Sequence, residues 1–461
     1  MNIELPNNIR HILNQIPRSF VVGGFVRDSI LGVRNKDIDV EVFGISFAEL
    51  NVILSRFGKT NLVGQNFGVI KLTIDGDEFD FSIPRRDNSN GLGHRDFDIE
   101  LCPDITLEEA ARRRDFTINA LFFDPRTNEI IDPFDGLSDI KARRLRVVDR
   151  STFKEDPLRV LRAVQFAARF NLAPDRELIS LADEALGSFD AIPKERVWNE
   201  FEKLAVKGRF PSQGIKTLLL FGWLSHFPEI GNLLSCEQEP EWHPEENVLF
   251  HTWHCLNHLV TLDAFKMADR TGRAVLFFAV LCHDFGKPST TEIRKRKGVD
   301  RITANGHEQA GVPFAEVFLR RIGTPNEIID KVKPLVGNHL AHLQANTKRA
   351  VRRLSLRLAP ATIDELITVI EADHGGRPPL PAGLPKEATF LRMIARDLDL
   401  ESDIPKPILK GRHLIDKGLS PSKRFGSILH AAFEIQLDGG FDDEASAVEW
   451  LTNNWNELNE L

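Results

Sequence analysis

The apolar pattern changes period near residue 150, and this change limits the fold more than any other feature of the chain. Up to that point there are short runs of strand length, at Phe20 to Gly23, Ile38 to Phe43, Gly68 to Ile74 and Glu78 to Ile83, set between short helical stretches. Beyond it the apolar residues recur almost only at helical spacing. The expected class is α+β, with a mixed head ahead of an all-helical body. Asp156 and Pro157, followed by Leu158, Leu161, Val164, Ala167 and Ala168, predict an N-cap, a first turn and the buried stripe of the helix that opens this body.

At 461 residues the chain is longer than one growing core sustains, so several domains are expected. Joints are expected near residues 235 to 245 and at Gly375 to Pro385, which gives segments of 1–150, 151–235, 236–380 and 381–461. Cys102, Cys236, Cys255 and Cys282 form no CxxC pair and no signal peptide is apparent, so a reducing cytoplasm is the expected location. No apolar run reaches membrane-spanning length, and no membrane partner is expected. A formal charge of -8 argues against an indiscriminate polyanion binder, although a nucleic acid responds to local basic surface. There are 32 Phe and no Tyr, so no tyrosine hydroxyl is available for chemistry.

In Val21-Val22-Gly23-Gly24-Phe25-Val26-Arg27-Asp28 an apolar strand runs into two glycines and then a helical stretch. Gly23 and Gly24 let the backbone approach a ligand, and free N–H groups with Arg27 suit a phosphate. Asp37 and Asp39 follow, two apart on a strand and so on one face. Such carboxylates repel unless a cation lies between them, and their hard oxygens favour Mg²⁺ in a two-metal phosphoryl-transfer site. The plainer reading is a solvated polar face beside a structural glycine turn.

This turn, Asp37-x-Asp39, Arg113-Arg114-Asp115-Phe116-Thr117-Ile118-Asn119-Ala120 and Glu155-Asp156-Pro157-Leu158-Arg159-Val160-Leu161-Arg162 occur in order. Together with Asp132-Pro133-Phe134-Asp135-Gly136 and Glu195 to Phe201, they resemble the bacterial and eukaryotic (class II) tRNA CCA-adding nucleotidyltransferases and their poly(A) polymerase relatives. The resemblance implies a polymerase-β-like nucleotidyltransferase head in which Asp37 and Asp39 hold the metals. Asp80 is the candidate third carboxylate, although Glu78 shares its strand parity. The resemblance also implies that Arg114, Asp115 and Asn119 grip triphosphate and ribose, with Arg162 at the nucleotide. The partners implied are tRNA, CTP and ATP. Alternatives within the class are an A-adding enzyme and a poly(A) polymerase.

Adenine and cytosine share an amino donor beside a ring-nitrogen acceptor, whereas guanine and uracil present a carbonyl beside an N–H. A carboxylate and an arginine side by side therefore admit the first pair and reject the second. Asp156 and Arg159, three apart on the first helical turn, fit that role, and the family uses these positions as its amino-acid template. An N-cap with a local ion pair is the structural alternative, and the two roles are compatible. The polar stretch Arg85 to Phe97 reads as a mobile loop between strands, which in the family helps switch the pocket from C to A.

Farther along, His251, the pair His283-Asp284, and Asp373 occur in the order of the HD hydrolase superfamily. The resemblance makes these four residues metal ligands, with His307 and His339 serving a second metal or the substrate phosphate. Imidazoles with carboxylates suit Mn, Ni, Fe or Zn. Residues 236–380 are thus the expected HD domain, and a metal-dependent phosphohydrolase acting on RNA ends or cyclic nucleotides is the reading from another class. Basic clusters at Arg294 to Lys297, Lys348 to Arg353 and Lys406 to Arg412 are candidate tRNA contacts or ordinary solvated faces. Residues 409 to 429 resemble the C-terminal tRNA-contacting region of HD-bearing members.

Overall fold

The computed structural model describes residues 3–62, 68–89, 97–296 and 298–458. Two compact units are formed, one from Met1–Pro193 with Gln213–Trp223 and the other from Lys194–Ser212 with Leu224–Leu461.

The first unit is built on a seven-stranded mixed sheet of order β3-β4-β5-β2-β1-β8-β9. Its strands are β1 (Ser19–Val22), β2 (Ile38–Val42), β3 (Lys59–Asn61), β4 (Val69–Ile74), β5 (Asp77–Ser82), β8 (Phe122–Asp124) and β9 (Glu129–Ile131). β2 and β5 run parallel and the other pairs run antiparallel. Period-2 alternation divides β2 into Ile38, Val40 and Val42 on one side and Asp39 and Glu41 on the other. Asp39 is the single exposed side chain of that strand. Phe20, Val22, Phe43 and Phe122 pack with Ala110 and Ala111 as the core, so one sheet face is aromatic in its middle and acidic toward one end.

The expected helix starts one residue later than read, with Pro157 at the N-cap and Asp156 just ahead of it. Asp156 Oδ1 accepts from the Leu158 N–H (3.1 Å) and the Asp156 carbonyl from the Arg159 N–H (3.0 Å), with Pro157 between them ahead of the helix Leu158–Phe170. The expected loop at 85–97 is corrected in part, because β6 (Arg85–Ser89) and β7 (Phe97–Leu101) pair antiparallel. Residues 90–96 of that stretch lie outside the described residues. A short parallel pair, β10 (Arg144–Leu145) and β11 (Ala173–Pro174), completes the strands of this unit.

Among its described residues the second unit is helical apart from one hairpin, β12 (Glu292–Arg296) and β13 (Val299–Thr303). The helix Lys194–Lys207 contributes Trp198, which packs on Phe278, and Phe201, which packs on Phe227 and Phe318. The C-terminal helices close around a small core that includes Leu409, Leu414, Ile428, Phe441 and Leu451. The basic run at 348–353 is largely an ion-pair seam: Arg349 meets Asp438, Arg352 meets Asp442, and Arg353 meets Glu434 and Asp438. Arg294 pairs with Glu292 on the hairpin, and Lys297 lies outside the described residues. Among the described residues no helix is long and apolar enough to cross a membrane.

Candidate active site and a second polar cluster

The strand register assembles the acidic group. Val22 stands opposite Asp39 across β1 and β2, and Asp39 stands opposite Asp80 across β2 and β5, so both carboxylates leave the same face. Glu78 lies farther along β5 and pairs with Lys71 at 3.2 Å. Asp37 sits exposed one residue ahead of β2, its N–H bonded to Asn35 Oδ1 at 3.0 Å. Partial withdrawal from water, followed by the adjacent Asp80 carboxylate, pushes Asp39 up to about 6, with Asp37 and Glu41 adding to this and Arg114 opposing it. A cation among these oxygens would relieve that crowding, and a set of hard carboxylates fits Mg²⁺.

Gly23 ends β1 at φ +68° and ψ −126°, a conformation that L side chains avoid. A Cβ there would lie 3.0 Å from Arg114 Nη1, whereas at Gly24 its nearest neighbours would be at ordinary contact distances of 3.6 and 3.7 Å. Sequence reading passed over the buried Glu41. Its Oε1 accepts from Arg113 Nη2 (2.7 Å) and its Oε2 from Arg114 Nη2 (3.0 Å). The sign was available: Glu41 continues the parity of Asp37 and Asp39 into an apolar strand, where a lone acid requires a partner.

Arg27, Asn119, Asp115 and Arg162 form one hydrogen-bonded chain. Arg27 is 4 % exposed; its Nε and Nη2 donate to Asp28 Oδ1 and its Nη1 to Asn119 Oδ1. Asn119 Nδ2 donates to Asp115 Oδ1 at 2.8 Å, and Arg162 Nε donates to Asp115 Oδ2 at 2.7 Å. Burial works to raise the Asp115 pKa, but Arg162 and the Asn119 bond outweigh it and hold the carboxyl below its usual range. Phe166 and Phe170 stack at 6.0 Å, with Arg27 and Arg169 over both rings and Arg162 over Phe166. Arg27 and Asp115 are thus structural ties in this state of the molecule. Arg159 Nη2 donates to the Arg113 carbonyl at 3.0 Å, while its Nη1 is buried without a hydrogen bond.

The second unit brings His251, His283, Asp284, His307, His339 and Asp373 together from five helices or helix ends. His251 Nε2 lies 2.9 Å from Asp373 Oδ1 and 3.8 Å from Asp284 Oδ2. His283 Nε2 is 3.2 Å from Asp284 Oδ2, and His307 Nε2 is 3.2 Å from Asp284 Oδ1. The Nδ1 atoms of His283, His307 and His339 each face the carbonyl three residues earlier, at 2.7, 2.6 and 2.8 Å. Donation there turns each Nε2 inward; burial works against a proton on His307, but the Asp284 carboxylate facing its Nε2 outweighs this and raises its pKa. His283 Nε2 is consequently buried without a hydrogen bond, and the Nε2 atoms of His307 and His339 approach to 3.2 Å. Burial, then His307 and His283, push His339 down to about 3. These inward lone pairs and carboxylates fit a metal cation. A cavity of about 1370 Å³ opens on Asp284, His307, His339 and Asp373. Sequence reading also missed Glu245, buried 2.7 Å from His251 Nδ1 and 2.9 Å from His243 Nδ1.

Residues 19–146 match the family described as Poly A polymerase head domain. A protein of Thioalkalivibrio sulfidiphilus named Multifunctional CCA protein is 32% identical over 428 residues, covering 90% of this chain and 96% of that protein. In fold the chain is similar to the Bacillus stearothermophilus CCA-adding enzyme in complex with CTP, with TM-score 0.69, 21% identity, and 99% and 100% of the two chains covered. It is also similar to the Thermotoga maritima CCA-adding enzyme complexed with tRNA-CCA, with TM-score 0.60, 20% identity and 99% of each chain covered. The chain belongs to the family of CCA-adding nucleotidyltransferases.

Proposed function

We propose that this chain adds C, C and A to the 3′ end of tRNA from CTP and ATP, with the chemistry at Asp37, Asp39 and Asp80. The observation that carries the reading is the register that sets Asp39 against Asp80 beside the Gly23 turn. These three carboxylates would hold Mg²⁺, which when bound supplies charge neutralisation at the departing pyrophosphate and a more acidic 3′-hydroxyl.

The chain's own residues do the rest. Gly23 and Gly24 keep the phosphate side free of side chains, and Arg114, braced by Glu41, meets the triphosphate. Asp115, Asn119 and Arg27 lock Arg162 and the helix that carries Asp156 and Arg159. Asp156 accepts from the amino group of adenine or cytosine, and the unused Arg159 Nη1 donates to the adjacent ring nitrogen. Guanine and uracil leave both groups mispaired. Incorporation into tRNA lacking its CCA end should vanish in the double variant Asp37→Ala, Asp39→Ala; incorporation at the wild-type rate would refute the site.

A second activity, metal-dependent phosphoester hydrolysis at an HD-type site, is favoured by the inward Nε2 atoms of His283, His307 and His339. His251, His283, Asp284 and Asp373 would hold Mn, Ni, Fe or Zn, which when bound supplies an activated water. His307 and His339 face Asp284 from the other side, toward a second ion or the substrate phosphate. Phosphate release stimulated by one of these metals and lost in His283→Ala tests this reading.

A further inference from the structure

We infer that Glu41 is a positioning residue of the nucleotide-transfer reaction: from the strand that carries Asp39, it sets the arginine that meets the triphosphate and the backbone that holds the base-reading arginine. The inference rests on the reading of Arg114 and Arg159 given above.

Glu41 lies two residues beyond Asp39 on the same side of β2, and its side chain is fully buried. A carboxylate there loses its water, a cost that only close, well-oriented cations offset. Two arginines do so, one on each oxygen: Arg113 Nη2 on Oε1 and Arg114 Nη2 on Oε2. Burial works to raise the Glu41 carboxyl, but Arg113 and Arg114 together outweigh it and hold it below its usual range.

Each arginine is then used a second time. Arg114 Nη1 donates to the Asn119 carbonyl at 3.3 Å and lies against Gly23, where a Cβ would come within 3.0 Å of it. Its guanidinium also sits over Phe122. Its plane is therefore fixed between the glycine turn and the Glu41 carboxylate, and its Nε remains buried without a hydrogen bond. The Arg113 carbonyl accepts from Arg159 Nη2 at 3.0 Å. One carboxylate thereby fixes the peptide between Arg113 and Arg114 relative to both the acidic strand and the base-selecting helix. Guanidinium forks give directional contacts only when their plane is held, which is what a bridging carboxylate supplies.

The test is steady-state kinetics of CTP addition to tRNA lacking CCA and of ATP addition to tRNA ending in CC, with wild type, Glu41→Gln, Glu41→Asp and Arg114→Ala. Glu41→Gln should raise KM for both nucleotides by about tenfold or more, the scale of losing a charge-assisted bond. KM for tRNA should stay at its wild-type value, and Glu41→Asp should recover part of the nucleotide KM. A purely structural role would lower the folded fraction, and with it apparent kcat, while leaving nucleotide KM unchanged. If Arg114→Ala raises nucleotide KM and both Glu41 variants keep the wild-type value, the inference is overturned alone. If Arg114→Ala itself leaves nucleotide KM unchanged, the underlying reading of Arg114 falls and the inference with it.

Discussion

Arg162 Nε stands 2.7 Å from Asp115 Oδ2, so the helix Leu158–Phe170 is tied by a charged hydrogen bond to the Arg113–Asn119 block. Asp115 also accepts from the Phe116 N–H and from Asn119, so both carboxylate oxygens are engaged at a buried position. Substituting Asp115→Asn puts an amide where donors converge and should destabilise the fold by about 1–3 kcal/mol. Denaturant unfolding at pH 7 measures this loss. Because its folded pKa lies below the unfolded value, Asp115 contributes stability above about pH 4, lost as pH falls through the folded pKa. The Asn variant should lack that component of the acid-unfolding curve; equal acid sensitivity in the two proteins would speak against the assignment.

The two glycines of the turn should behave differently. Gly23→Ala forces an L residue to φ +68° and a methyl to within 3.0 Å of Arg114, for a cost of ~1–3 kcal/mol and a severe loss of nucleotide transfer. Gly24→Ala meets protein neighbours only at 3.6 and 3.7 Å, so it should keep the wild-type melting temperature while its methyl, on the phosphate side, weakens nucleotide transfer. Activity and melting temperature of the two variants side by side distinguish a conformational need from simple proximity to the site.

Base selection should respond to Arg159. Removing its guanidinium in Arg159→Ala deletes the donor to the ring nitrogen of cytosine and adenine, so CTP use should fall and the CTP to UTP preference with it. A site built on such bonds discriminates by about 10⁴ or more, so the change is large enough to read from competing incorporation. Unchanged preference would transfer the reading of the base to other residues.

Four strands of the head, β1, β2, β4 and β5, were legible because β-strands display their logic in period 2, whereas the three-residue strands β3, β8 and β9 are too short to show it. Asp39 and Glu41 interrupt Ile38, Val40 and Val42 in a way that a half-buried strand explains. The partner strand of Asp39 was not legible, since register depends on which strands meet, and only the structure sets Asp80 opposite Asp39. β6 was hidden for a different reason: Arg85-Arg86-Asp87-Asn88-Ser89 has no apolar alternation, while backbone pairing with β7 needs none. The same applies to β12 and β13, where charged residues flank a turn with Gly298 at φ +81°. The six histidines and aspartates of the helical unit were picked out through the resemblance to the HD superfamily, but Glu245 was not, because acids ahead of a helix, here Glu245 and Glu246, usually face water.

The two polar sites should separate by mutation. His283→Ala should remove metal-stimulated hydrolysis of a simple aryl phosphate and spare nucleotide addition, while the Asp37, Asp39 double variant should do the reverse. Direct metal analysis after exhaustive chelation should find the His283 variant depleted of transition metal. Hydrolysis that persisted in it would exclude the His251, His283, Asp284 and Asp373 cluster as its source.

Incubating the protein and Mg²⁺ with tRNA that ends just before its CCA, with labelled CTP alone, ATP alone and both, and reading product length decides whether the chain builds the CCA end. Two added residues are expected with CTP alone, three with both nucleotides, and none in the Asp37, Asp39 double variant. Extension by ATP alone, or no extension under any condition, would contradict CCA addition.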